Sequence, residues 1–171
     1  MKRMPTLAEA LEIFRRGPAA LEAALDGVTG EELDFHPGPG KWNILQIIRH
    51  VADTEIVAGM RLRMVAAEGG DPATRPTLTP FNQDAWADNL DYEDADIAEA
   101  FTTFHVLRND TAKLLSNLPP EVFEYTGLHL ERGELTLLSL VEIFGNHVLK
   151  HADQIKAARK AFKALAGLKA K

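Results

Sequence analysis

Two histidines, His147 and His151, stand four residues apart in a segment of helical apolar period. In a helix that spacing places two imidazoles one turn apart on one face, close enough to chelate a single metal ion. Both take the place of apolar residues in the stripe Leu137, Leu140, Phe144, Ile155, Ala158, Phe162. They are therefore expected to point inward, where four ring nitrogens need partners. A metal would satisfy one nitrogen on each ring. Hydrogen bonds to neighbouring helices would do so as well. Six histidines in 171 residues make the spacing a weak signal alone, so both readings stay open at this point.

A catalytic metal inside a helical bundle needs a ligand from a second helix. His50 is the best candidate, beside Ile47, Val51 and Thr54 at the edge of an apolar face. Three neutral imidazoles leave coordination positions free for water or substrate, as catalytic sites require. Asp53, one turn after His50, is placed to orient it, with a solvent-facing helix acid as the alternative. Glu55 and Asp84 are the other acids nominated as helpers. His36, His105 and His129 read as structural, although His129 lies in a connection that could approach the site. Phe81 and Trp86 read as packing anchors of a long connection, with a pocket wall as their second reading.

Competing templates fail. No His is followed by Glu, and no Glu precedes a His by three residues, which removes the zincin and di-iron carboxylate patterns. Gly69-Gly70 matches neither a phosphate loop nor a dinucleotide fingerprint. Ser116 and Ser139 lack a nucleophile-elbow context. There is no cysteine, so thiolate metal sites and a cysteine nucleophile are excluded, and any thiol chemistry must use a thiol from outside. The balance of 19 basic and 25 acidic residues, net −6, weighs against broad electrostatic binding of nucleic acid. No uncharged apolar run approaches the ~20 residues that span a bilayer. Acids follow Met1-Lys2-Arg3-Met4-Pro5 too soon for a signal-peptide core, so a cytoplasmic protein is expected.

These residues must be carried by four long amphipathic helices. Thr6 with Glu9 forms a capping box for the first, through Leu7, Leu11 and Phe14, with a kink at Gly17-Pro18 before Leu21 and Leu25. Asn43 and Gln46 form another for a helix running to Ala67. The third fits 94–117 and the fourth runs from Thr136 to Leu165, with basic residues after 156 suiting its C-terminus. Connections are expected over 27–42, 69–93 and 119–135, with at most a short hairpin within 122–138. The whole chain, 1–171, reads as one all-α four-helix-bundle domain.

At these residues the sequence resembles the DinB-like, YfiT-like superfamily. The segment Lys41-Trp42-Asn43-Ile44-Leu45-Gln46-Ile47-Ile48-Arg49-His50-Val51-Ala52-Asp53-Thr54-Glu55 is similar to its second-helix signature. Gly133-Glu134-Leu135-Thr136-Leu137, followed by His147-x3-His151-Ala152-Asp153-Gln154-Ile155, is similar to its C-terminal signature. Asn82-Gln83-Asp84-Ala85-Trp86-Ala87 resembles its middle loop. The resemblance implies an up-down-down-up four-helix bundle, often a homodimer. It implies a divalent metal, commonly zinc or nickel, on His50, His147 and His151. Lys150 stands where many members carry a further, non-ligating His. Characterised members include S-transferases that use a low-molecular-weight thiol such as bacillithiol or mycothiol, and a mycothiol-dependent isomerase.

The expected function is thus a metal-dependent enzyme acting on a small-molecule substrate, joining a low-molecular-weight thiol to an electrophile. A hydrolase using metal-activated water is the near alternative. A non-enzymatic metal-binding stress protein is the more distant one. Neither nucleic acid nor membrane is expected as a partner.

Overall fold

The computed structural model describes residues 5–169. The stretch Met1–Met4, which entered the targeting argument, and the last two basic-tail residues lie outside the described residues. The helices are α1 (Leu7–Arg15), α2 (Gly17–Leu25), α3 (Gly30–Leu33), α4 (Ile44–Glu68), α5 (Gln83–Asn89), α6 (Ile97–Ser116) and α7 (Leu137–Lys169). Three short strands, β1 (Thr77–Leu78), β2 (Thr126–His129) and β3 (Gly133–Thr136), form one sheet in the order β1-β2-β3. β1 runs parallel to β2, and β3 antiparallel. No helix among the described residues is long and apolar enough to cross a membrane.

Local chemistry sets the helix starts. Thr6 with Glu9 and Asn43 with Gln46 both form capping boxes, each exchanging side-chain and backbone bonds. The chain breaks between Arg15 and Gly17, and Pro18 sits in the first turn of α2, where its missing N–H costs nothing. The 27–42 connection contains the one-turn helix α3, capped by Thr29 and Glu32. The 69–93 connection contains β1 and α5, the latter capped by Asn82. α6 starts at Ile97, three residues later than the sequence suggested, because Asp96 caps it and 92–94 form a 3₁₀ turn.

Side-chain pairings give the topology. Along α4 and α6 the pairs Glu55–Arg108 and Arg63–Asp110 advance together, so these helices run parallel. Arg159 of α7 reaches the Ala24 carbonyl of α2, while Gly145 of α7 abuts Phe14 of α1, so α7 runs parallel to α1 and α2. Arg15 with Ser116 and Glu22 with His105 place α6 antiparallel to the first pair. The result is the expected up-down-down-up bundle. Parallel neighbours α4 and α6 cannot be joined by a tight turn, which explains the long crossover between them.

The core has two apolar clusters. One gathers Leu21, Ile48, Val51, Phe104, Val148 and Ile155; the other Phe14, Leu62, Val65, Leu115, Leu140 and Phe144. On α7 His147 falls between the residues of the two clusters. Near this level Arg108, 1% exposed, donates to both carboxylate oxygens of Glu55 and to the Phe14 and Phe144 carbonyls. Its guanidinium lies 3.9 Å from the Phe14 ring centre. Every charge in this pair has a partner, which makes burial tolerable. The sheet seats on α4 through Gly127, where a Cβ would come within 2.8 Å of Val65.

Candidate metal centre

α4 and α7 are antiparallel neighbours, and their facing stripes bring His50 to His147 and His151. Nε2 of His147 lies 3.1 Å from Nε2 of His50 and 3.1 Å from Nε2 of His151. Tetrahedral ligands at about 2.0–2.1 Å from a zinc-sized ion stand ~3.3 Å apart, so this spacing fits a shared ion with little adjustment. The donor chemistry fits as well. Burial, reinforced by the charge of His151, pushes the His50 imidazolium down to about 3. Burial and the neighbouring histidine charges push His147 down to about 2. Burial also lowers His151, against the opposing effect of its bond to Gln154. All three rings are neutral at pH 7 and present lone pairs.

The surrounding residues orient the rings. His151 Nδ1–H donates to Gln154 Oε1 at 2.9 Å, which leaves its Nε2 as the acceptor facing the other two rings. Trp42 packs on His50 with ring centres 5.0 Å apart. Nδ1 of His50 is buried and has no hydrogen-bond partner among the described residues. Asp53 therefore does not orient His50, contrary to the sequence expectation. Its oxygens instead accept from the Tyr92 hydroxyl at 2.6 Å and from Arg49 at 3.0 Å. Tyr92 arrives from the 3₁₀ turn before α6, a contact helical spacing could not reveal. Glu55 is committed to Arg108 in the core, and Asp84 is exposed in the first turn of α5 and does not line the pocket described below. Neither serves the site.

A pocket of about 190 Å³ opens onto His50 and His147. Phe81, Leu140 and Phe144 form apolar parts of its wall, while Arg61, His129 and Arg132 contribute polar parts. Phe81 is thus the pocket wall, and Trp86 backs it at 4.7 Å between ring centres. His129 reaches the pocket from the end of β2. Arg61 was not singled out from the sequence. The available signal was its position eleven residues after His50, close to three full helical turns and so on the same stripe. His36 and His105 lie elsewhere, near Glu93 and Glu22.

A sequence model described as the DinB superfamily matches residues 13–155. A protein of Oceanobacillus iheyensis that carries the name "Putative metal-dependent hydrolase" is 28% identical over 141 residues, covering 81% of this chain and 78% of that protein. YfiT of Bacillus subtilis, which also carries the name "Putative metal-dependent hydrolase", is 23% identical over 146 residues, covering 85% of this chain and 79% of that protein. The solved YfiT structure, described as having "an unusual four-helix bundle topology", superposes with a TM-score of 0.78 at 20% identity, covering 94% of this chain and 93% of that one. A mycothiol-dependent maleylpyruvate isomerase shares the fold at a TM-score of 0.70 and 14% identity, covering 91% of this chain and 63% of that one.

Proposed function

We propose that this chain, which belongs to the DinB superfamily, is a metal-dependent enzyme whose centre is His50, His147 and His151. The observation that carries the reading is the convergence of three neutral imidazoles on one point from two helices. A bundle core has no need of such a cluster, since three apolar side chains would fill the space without desolvating six ring nitrogens. Three nitrogen donors suit zinc or nickel and leave room for a substrate atom.

When bound, the ion would supply Lewis acidity, lowering the pKa of a thiol or water at its open position. The chain's own contributions follow from geometry. Gln154 holds the His151 tautomer. Phe81, Leu140 and Phe144 give the pocket apolar walls that exclude bulk water from part of its surface. Among the described residues, no acid stands within hydrogen-bonding distance of the three rings, so no carboxylate general base is assigned there.

We favour a low-molecular-weight thiol as the activated nucleophile and an electrophilic small molecule as its acceptor. The resemblance of the motif blocks supports this, and so does the chain's lack of cysteine, since no protein thiol competes for the ion. Hydrolysis is the second reading, supported by the names of the relatives. The test pairs zinc- and nickel-loaded protein with a panel of thiols and electrophiles, and separately with esters and amides. Metal-dependent loss of free thiol supports transfer. Metal-dependent ester or amide cleavage without thiol consumption assigns the hydrolase. No turnover in either panel contradicts the enzyme reading.

A further inference from the structure

Arg61 is 7% exposed, yet no carboxylate pairs with it among the described residues. Other arginines of the chain differ. Arg49 meets Asp53, Arg63 meets Asp110, Arg75 meets Glu134 and Arg108 meets Glu55. Among the described residues Arg61 has one hydrogen-bond partner, the Thr79 carbonyl just after β1, which accepts from one of its five N–H groups. The charge that bears on it is Arg132, of the same sign, and that charge and burial both weaken its hold on the proton, burial the more. A buried guanidinium facing a second cation is costly unless something anionic visits it.

The guanidinium faces the same pocket as His50 and His147. His129 lines it too and is 6% exposed. Nδ1 of His129 accepts the Glu131 backbone N–H at 3.2 Å, so in the neutral ring Nε2 carries the hydrogen and is a donor. Among the described residues, Glu131 is the one acid on the pocket wall. It is exposed and forms no ion pair with either arginine among the described residues. Planar guanidinium donors with a ring N–H beside them are the chemistry that recognises a carboxylate or a phosphate.

We propose that Arg61, Arg132 and His129 form an oxyanion subsite that holds a carboxylate or phosphate group of the substrate, with the reacting atom at the histidine cluster. The substrate is then an anionic small molecule. This assignment rests on the reading of the three histidines as the reactive centre, while the subsite itself uses no metal.

The test titrates metal-free, full-length protein by calorimetry with inorganic phosphate, with butyrate and with neutral butyramide. Omitting the metal removes anion binding to the ion itself. Wild type is expected to bind phosphate, butyrate or both, and not butyramide. The anion that binds identifies the group as phosphoryl or carboxylate. Arg61→Gln should weaken that binding tenfold or more. Arg132→Gln, at an exposed position, should weaken it several-fold and decides the matter if Arg61→Gln does not fold. No anion binding by wild type, or unchanged binding in the folded variants, overturns the proposal. Metal content measured on reconstituted samples of the same proteins keeps the two readings apart. Wild type that takes up metal yet binds no anion refutes the subsite alone. Wild type that binds anion yet takes up no metal refutes the metal centre alone.

Discussion

His151 donates its Nδ1–H to Gln154 Oε1 at 2.9 Å, one turn further along the same helix. That bond fixes which ring nitrogen faces His147 and His50. Removing it leaves the ring free to choose the other tautomer or to rotate. Gln154→Ala should therefore lower metal affinity roughly 10–100-fold while the fold persists. Competition with a chromogenic chelator, read beside the circular dichroism spectrum, checks it. Unchanged affinity would remove Gln154 from the site.

Tyr92 and Asp53 make a buried bond outside the metal centre. Tyr92→Phe should destabilise the protein by about 1–3 kcal/mol, because the carboxylate loses one of its two partners. Metal stoichiometry should stay at the wild-type level, measured on the same preparation. A loss of metal would return Asp53 to the site from which the structure removes it.

The core pair gives a larger effect. Glu55→Ala leaves the Arg108 guanidinium buried without its carboxylate, and should cost about 3–5 kcal/mol in urea unfolding. A cost below 1 kcal/mol would mean that the guanidinium finds water or another partner.

Acid should unfold the metal-free protein. His50 titrates at about 3 when folded and near 6.5 when unfolded, since burial disfavours its charged form. The unfolded chain thus binds more protons between these values. Stability is full above pH 6.5 and falls as pH drops from 6.5 toward 3; His147 and His151 shift the same way and add to it. Thermal melts of metal-free wild type from pH 7.5 to 4.5 should show this fall. In His50→Leu the fall should be shallower. A flat profile would contradict neutral, buried rings.

Much of the bundle was legible because its determinants are local. The capping boxes at Thr6 and Asn43, the break at Gly17-Pro18 and the inward stripe of α7 are written in neighbouring residues. The histidine trio was legible for the same reason, since a polar pair in an apolar stripe is visible without knowing its partner. Thr29 with Glu32 carried the same capping pattern for α3, yet Gly and Pro on both sides masked a one-turn helix. What surrounds the trio was not legible. Tyr92 reaches Asp53 across 39 residues, and β1 pairs with β2 across about 50. His129 and Arg132 come to the pocket only because that pairing forms. Asp53 shows the limit of helical spacing, which placed it one turn from His50 and could not show which partners would claim it.

The enzyme reading requires that His50, His147 and His151 hold one divalent ion. Elemental analysis of tag-free protein tests it most directly, with wild type beside His147→Ala and His151→Ala. Wild type should carry about one divalent ion per chain, and both variants should lose it. Wild-type protein that holds no metal, even after reconstitution with zinc and with nickel, would contradict it and leave the three histidines as core residues.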